Sequence, residues 1–228
     1  MRIIKLNWRM LVTDVAKHVM PRPSHNIDKR MLEAAKKIVC EHGCSGIRIR
    51  DIAAKAHANL GMFHYYFKSK RRFTKVLLQD CYDDFFSRLS TASRDGDRAI
   101  DQLRSVLLAA ATFVKQEHKF YSALFKDILN ENQEVLEFVR SNFPRHIQLI
   151  KELILRAQKE QDIVKLPFPQ VMSFLMTSLN LPTLIAYALE AGVRKAGRVS
   201  KYKVDIGCIV SDAAIKERLN MALRGLAP

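Results

Sequence analysis

The 228-residue sequence is poor in the residues that interrupt regular structure, with only 8 Gly and 7 Pro. Alternating runs rich in valine or threonine are also scarce, which argues against β-strands. Apolar side chains instead recur at three- and four-residue spacing along most of the chain. Because that spacing places them on one face of a helix, the sequence predicts an all-α protein.

The four cysteines, Cys40, Cys44, Cys81 and Cys208, are too few and too irregularly spaced for a disulfide scaffold. Cys40 and Cys44 are one helical turn apart, as in half of a metal site, but Gly43 lies between them and is expected to end the helix. We therefore expect reduced, structural thiols, and we expect neither a metal nor a cofactor.

No run approaches the roughly 18 consecutive apolar residues of a membrane span. Arg9 and Asp14 interrupt the first twenty residues before the apolar core of a signal peptide could form. A P-loop, a G-x-S-x-G motif, an H-E-x-x-H motif and a Rossmann glycine cluster are all missing. These absences predict a cytoplasmic protein that is not an enzyme and has no catalytic residues.

Charge is distributed unevenly along the chain, which has 38 Lys and Arg against 23 Asp and Glu and a formal net charge of +15. The first 80 residues contain 17 basic and 6 acidic side chains, whereas the rest contains 21 and 17. An excess confined to one region is typical of a module that faces a polyanion. Nucleic acid is the favoured partner, and an anionic membrane surface is the alternative.

Three short helices are predicted before residue 70. The first begins at Ile27, with Asn26 as its N-cap, and ends at Gly43. The second covers about residues 50–56, and the third begins at about Asn59. Only a three-residue turn, 57–59, separates the last two, which is the connection of a helix-turn-helix. A fourth helix is predicted to start after Ser69 as its N-cap.

Residues 49–70 read IRDIAAKAHANLGMFHYYFKSK. The order of R-D-I-A, a three-residue turn, G-x-aromatic and F-K-S-K resembles the tetracycline-repressor (TetR) family of bacterial transcription regulators. The resemblance covers about residues 27–78, and it implies a DNA-binding domain at residues 25–72. It also implies a helical ligand-binding and dimerisation domain at residues 73–228, preceded by an extension at residues 1–24.

The resemblance implies that one set of side chains faces the DNA major groove and another holds its phosphates. Arg50 is the expected bidentate contact to guanine. The residues implied at the DNA are Arg50, Asn59, Leu60, Gly61, Met62, His64, Tyr65, Tyr66 and Lys70.

The sequence departs from the family pattern at three places. His57 replaces a usual Gly in the turn, where a left-handed backbone is expected. Ile47 and Arg48 stand where a Ser or Thr usually caps the second helix. Leu60 and Met62 make the third helix more apolar than usual, which suits contacts with thymine methyl groups.

Residues 1–19 precede the usual start of such proteins and carry several basic side chains. They are interpreted either as a basic arm that follows DNA phosphates or as the product of an upstream start codon.

The larger domain is expected to form long amphipathic helices, with a basic loop at 194–203. The resemblance implies a homodimer that pairs through its last two apolar segments and reads a palindromic operator. The predicted segments are 100–115, 121–130, 133–143, 147–161, 168–192 and 204–226.

The resemblance also implies a small effector, and the scarcity of acidic residues among the aromatic and flexible candidates favours a neutral or anionic hydrophobic molecule. A repressor released from DNA by that effector is the predicted function. The alternative is a helical factor of the same fold that binds DNA or anionic membranes non-specifically, without an inducer. The nominated pocket residues are Phe113, His118, Tyr121, Phe125, His146, Met176 and Asn180.

Overall fold

The structure is a computed structural model that describes residues 26–196 and 205–228. These residues form ten α-helices and one 3-10 turn, Cys44–Gly46, with no strand among them, so the predicted all-α class is confirmed. The helices are α1 Ile27–His42, α2 Ile49–Lys55, α3 Leu60–Phe67, α4 Lys70–Ala92, α5 Ala99–Gln116, α6 His118–Leu129, α7 Gln133–Lys159, α8 Phe168–Ala196, α9 Gly207–Val210 and α10 Asp212–Arg224.

Helices α1 to α3 and the start of α4 pack around a small apolar core, and we call this part the head. Met31, Ile52, Phe63 and Phe73 are fully buried in it, and the Phe63 and Phe73 ring centroids lie 5.1 Å apart. Burial of one large apolar side chain from each helix explains why such short helices are ordered.

Local turn chemistry sets the helix boundaries of the head. The Asn59 side chain accepts a hydrogen bond from the Met62 N–H at 2.8 Å, and Ser69 accepts one from the Arg72 N–H at 3.2 Å, so both act as N-caps. His57 has φ 48°, the left-handed conformation expected in the turn. Asn26 occupies the predicted N-cap position, but its backbone is left-handed (φ 38°) and its side chain makes no capping bond.

The remaining helices form the body, and α5 lies at its centre. Helix α5 contacts α4, α6, α7, α8 and α10, and it buries Leu103, Val106 and Leu107 completely. Helix α4 runs from the head into the body, with Phe73 buried near its start and Leu89 near its end. The long α4 therefore connects the two parts directly.

Two predictions about the body are wrong. Residues 133–143 and 147–161 were expected as separate segments, but α7 is continuous through Pro144 because Phe138 and Ile150 are buried on either side of it. Conversely, the predicted segment 204–226 is divided at Ser211, whose hydroxyl accepts from the Ala214 N–H at 3.2 Å and starts α10.

Among the described helices, α8 is long and apolar enough over residues Phe168–Val193 to cross a membrane by length and composition alone, a test that core helices of soluble proteins also pass. Residues 194–196 of the predicted basic loop are helical, because α8 continues to Ala196, and the other residues of that predicted loop lie outside the described residues. The predicted arm at residues 1–19 also lies outside them.

Candidate nucleic-acid interface and effector region

Helix α3 has one buried face and one face open to solvent. Phe63 and Phe67 point into the head core, whereas Leu60, His64 and Tyr65 lie on the outside. The exposed side chain of Tyr65 contacts Tyr66 edge to face, with ring centroids 5.3 Å apart. An outward aromatic pair on a short helix provides a surface that a ligand or macromolecule can contact.

All nine residues predicted at the DNA occur on one stretch from the start of α2 to the start of α4. Met62, Tyr66 and Lys70 are half-buried, and the other six are exposed: Arg50, Asn59, Leu60, Gly61, His64 and Tyr65. None of the nine is buried in the core, so all of them stay accessible to a partner.

Gly61 lies in the first turn of α3, next to open space. A Cβ atom added there would meet only the Asn59 side-chain oxygen, at 3.2 Å. A side chain at this position would need the Asn59 cap oxygen to shift by a few tenths of an ångström, and no other atom within 4 Å opposes it. The missing side chain leaves the α3 backbone accessible at this position.

The surface around α3 is basic. Arg48, Lys68 and Arg72 are exposed and were not among the predicted contacts. Arg72 lies in the first turn of α4, just after the Ser69 cap, where unpaired N–H groups favour an anion. Its position after a Ser cap was the sequence signal that could have identified it.

Three polar contacts join the head to the body. The buried Asp127 carboxylate on α6 accepts a hydrogen bond from the Cys44 N–H at 2.7 Å. Lys36 on α1 pairs with Glu117 at 2.8 Å. Arg71 on α4 donates to both oxygens of Glu137 on α7, at 3.0 and 2.9 Å. These contacts couple the position of the head to helices α6 and α7.

In the body, an aromatic cluster brings together three of the nominated pocket residues. The Phe85 ring lies 5.2 Å from Phe113, 6.4 Å from Tyr121 and 5.4 Å from His146, measured between centroids. The Tyr82 hydroxyl donates to the Asn142 main-chain carbonyl at 2.6 Å and lies 3.2 Å from His146 Nδ1. Tyr82 and Phe85 were missed because the α4 periodicity assigned them to ordinary core.

Burial controls the ionisation of this cluster. Desolvation lowers the pKa of His146 to about 4, so its ring is neutral at physiological pH. Desolvation also raises the pKa of the Tyr121 hydroxyl. The cluster therefore presents neutral polar groups within an apolar surround.

The other nominated residues lie elsewhere. His118 stacks on Tyr187 with ring centroids 3.6 Å apart, and Asn180 contacts the Met176 sulfur at 3.7 Å. The Asn180 side-chain oxygen is buried without a hydrogen-bond partner among the described residues. Phe125 is exposed on α6, and it is not among the rings that contact Phe85. No group of three or more His, Cys, Asp or Glu within residues 26–196 and 205–228 could hold a metal ion.

Comparison with known proteins identifies the head. Residues 31–74 match the family described as bacterial regulatory proteins, tetR family. The head is therefore a TetR-type DNA-binding domain. A curated Bacillus subtilis relative named "Probable HTH-type transcriptional regulator YttP" is 20% identical over 157 residues, which cover 68% of this chain and 76% of the relative.

Solved structures of TetR-type regulators extend the likeness to the body. The regulator FadR from Bacillus subtilis, solved in complex with stearoyl-CoA, superposes with a TM-score of 0.68 at 14% identity, covering 87% of this chain and 99% of FadR. The ketosteroid regulator KstR2 of Mycobacterium tuberculosis superposes with a TM-score of 0.64 at 15% identity, covering 92% and 100%. At these identities the likeness establishes a shared fold.

The family match contains every predicted DNA-contact residue, since Arg50 to Lys70 all fall within residues 31–74. None of the pocket residues nominated in the body falls within it. The chain thus combines a TetR-type DNA-binding domain with a fold shared with solved transcriptional regulators.

Proposed function

We propose that this chain is a sequence-specific DNA-binding repressor that acts as a homodimer on a palindromic operator and is released by a small hydrophobic effector. The observation that carries the proposal is the outward face of α3, where Leu60, His64 and Tyr65 are exposed on a helix whose other face is fixed in the core. A rigid helix with exposed side chains and a close-approach glycine is what major-groove reading requires.

Each exposed side chain has a role in this proposal. Arg50 on α2 donates to a guanine edge, and Leu60 and Met62 contact thymine methyl groups. Tyr65, Tyr66 and Lys70 hold the DNA backbone, and Asn59, Gly61 and His64 complete the surface in the groove. The free N–H groups at the start of α4 bind a phosphate beside Lys70.

Dimerisation is proposed through α8 and α10. Leu181, Ile185 and Leu189 are 45%, 48% and 55% exposed on one side of α8, and Met221 of α10 is 58% exposed. Helix α10 packs against α8, so two copies of this pair can form a four-helix seam. A twofold axis there would let two α3 helices read half-sites about 34 to 36 Å apart.

The proposed effector binds in the body, at the aromatic cluster around Phe85. Two fold relatives support a hydrophobic ligand, because FadR was solved in complex with stearoyl-CoA and KstR2 is a ketosteroid regulator. The ligand favours a dimer whose two heads stand at the wrong spacing for the operator. Ligand and operator then weaken each other's binding by linkage.

The proposal divides the chain into a DNA-binding domain at 25–72 and a ligand-binding and dimerisation domain at 73–228, after an extension at 1–24. Helix α4 belongs to both, since it begins at Lys70. The protein is proposed to act in the cytoplasm, by binding alone and without catalysis.

The test is selection of bound duplexes from a random DNA pool with the full-length protein. The expected result is an enriched palindrome whose half-sites are about one helical turn apart. Recovery of unrelated sequences with no symmetry would contradict the proposal. Deletion of residues 1–19 tests the arm, because removal of a phosphate-binding arm makes the affinity less dependent on salt.

A second candidate is non-specific binding to DNA or to anionic membranes, and the exposed apolar side of α8 is the observation that favours it. Competition with random DNA separates the two functions. A specificity ratio below about 10³ favours the second candidate. Sedimentation with phosphatidylglycerol vesicles tests its membrane form.

A further inference from the structure

A cleft of about 330 Å³ lies between the first turns of α4 and the first half of α7, next to the head. Arg71 and Lys75 line it from α4, and Glu134, Glu137 and Arg140 line it from α7. The volume is within the range of small-molecule sites in proteins. The aromatic cluster around Phe85 does not include any of these five residues.

Two cations in this cleft have no partner among the described residues. Arg71 is held by both oxygens of Glu137, so these two charges offset each other. Lys75 and Arg140 form no hydrogen bond or ion pair within the described part of the chain, and Glu134 is the one remaining carboxylate in the lining as described. Two free cations against one carboxylate favour an anionic group in the cleft.

The cleft also contains an unsatisfied polar group. Thr74 is 1% exposed and lines the cleft, and its hydroxyl has no hydrogen-bond partner in the described part of the chain. A buried hydroxyl is normally paired, so a ligand atom or water that reaches it would be favourable. This observation is independent of the charges.

The inner wall of the cleft leads to the aromatic cluster. Phe138 and Asn142 line the cleft and are both buried. The Phe138 ring lies 5.9 Å from the Tyr82 ring, and the Asn142 main-chain carbonyl accepts a hydrogen bond from the Tyr82 hydroxyl. Tyr82 in turn lies next to His146, whose ring is 5.4 Å from Phe85. The cleft thus has a charged rim, and its inner wall is formed by residues that pack directly against the aromatic cluster.

We infer that the cleft is the headgroup site of an amphipathic effector, with a carboxylate or phosphate group held by Lys75 and Arg140. Its hydrocarbon part extends past Phe138 toward Tyr82 and Phe85. This inference rests on the proposed function and adds to it the charge of the effector and the place where its polar end binds.

The position of the cleft also explains how such a ligand would influence DNA binding. Arg71 spans its edge and directly follows Lys70, the proposed phosphate contact. An anion that draws Lys75 of α4 toward Arg140 of α7 biases the orientation of the first turn of α4. The DNA-bound and ligand-bound arrangements then compete.

The test is isothermal titration of the full-length protein with three ten-carbon probes: decanoate, decyl phosphate and decanol. At least one anionic probe is expected to bind, and decanol is expected to bind at least about tenfold more weakly than that anion. Equal binding of decanol and the anions, or no binding of either anion, would overturn the inference.

Charge-removing variants locate the site. Lys75→Gln and Arg140→Gln are each expected to weaken binding of the anionic probe about tenfold, with the affinity for decanol unchanged. Lys159→Gln is the matched control, since Lys159 is an exposed cation at the other end of α7 and is expected to have no effect. An anion affinity that both cleft variants leave unchanged would place the headgroup elsewhere and overturn the inference.

DNA-binding measurements distinguish failure of the headgroup site from failure of the proposed repressor function. If the wild type selects a palindrome but no ten-carbon anion binds, the repressor function stands and the headgroup site is wrong. If the cleft variants weaken DNA binding in that case, Lys75 and Arg140 serve DNA phosphates instead.

Discussion

The head and the body both expose apolar side chains, but in different electrostatic settings. Between residues 48 and 75 the head has eight Lys or Arg and one acidic residue, and its exposed Leu60 and Tyr65 lie among them. No charged residue occurs in the body between Phe168 and Glu190, where exposed apolar residues recur along α8. The contrast supports the two proposed partners, DNA for the head and a second copy of the chain for the apolar side of α8.

The largest expected effect comes from placing a charge on the apolar surface of the body. Ile185→Glu places a charge on the proposed α8 seam and should convert the dimer to a monomer in light scattering. Operator affinity should fall by about 10² to 10⁴-fold, because two linked heads bind far more tightly than one. Leu155→Glu, at a comparably exposed apolar position on α7, is the control and should leave both properties unchanged.

The second-largest effect tests the close contact between Gly43 of the head and Asp127 of the body. Gly43 has φ 72° and ψ 178°, and an added Cβ would lie 2.8 Å from an Asp127 carboxylate oxygen. Gly43→Ala should therefore lower the free energy of unfolding by about 3 kcal/mol, measured by urea denaturation. A Cβ added at Gly192 meets nothing within 4 Å, so Gly192→Ala should stabilise α8 by about 0.5 to 1 kcal/mol. Equal effects of the two changes would disprove the close contact.

Titration of His146 in the body should make the free energy of unfolding depend on pH. The pKa of His146 is about 4 in the fold against an ordinary 6.5, so protonation favours the unfolded chain. Stability should be unaffected by this group above about pH 7 and should decrease as the pH falls from 6.5 toward 4. The loss between pH 7 and pH 5 should be about 2 kcal/mol. His146→Gln should remove that part of the pH dependence, and an unchanged dependence would contradict the assignment.

The smallest effects distinguish two roles within the head. Arg50→Ala should relax the preference at one base pair, by about 1 to 3 kcal/mol of discrimination. Lys70→Ala should weaken binding to all sequences alike and reduce its salt dependence. Binding arrays with single-base operator variants measure both, and identical profiles for the two variants would refute the division of roles.

The head was largely predictable because its signals are local. The Asn59 and Ser69 caps and the left-handed His57 are set by contacts within three or four residues. The missing capping bond at Asn26 has a local cause too, since its left-handed backbone does not allow that bond.

The body was predicted less well because distant contacts decide its details. Residues 133–143 and 147–161 were predicted as separate segments, but burial of Phe138 and Ile150 on either side of Pro144 keeps α7 continuous. The aromatic candidates could not be sorted by periodicity, since Phe113 and the exposed Phe125 both fit a helical stripe. The Lys75 and Arg140 cleft has no sequence signal, because its two sides come from helices far apart in the chain.

The sequence by itself determined the helical class, the helix-turn-helix and the concentration of positive charge near the start, because periodicity, capping and composition act over a few neighbouring residues. Only the tertiary structure decided how the head is joined to the body and where a charged cleft meets the aromatic cluster. Those features depend on pairs such as Cys44 with Asp127 and Arg71 with Glu137, which lie 83 and 66 residues apart. Packing of whole helices brings such pairs together, and no local pattern specifies them.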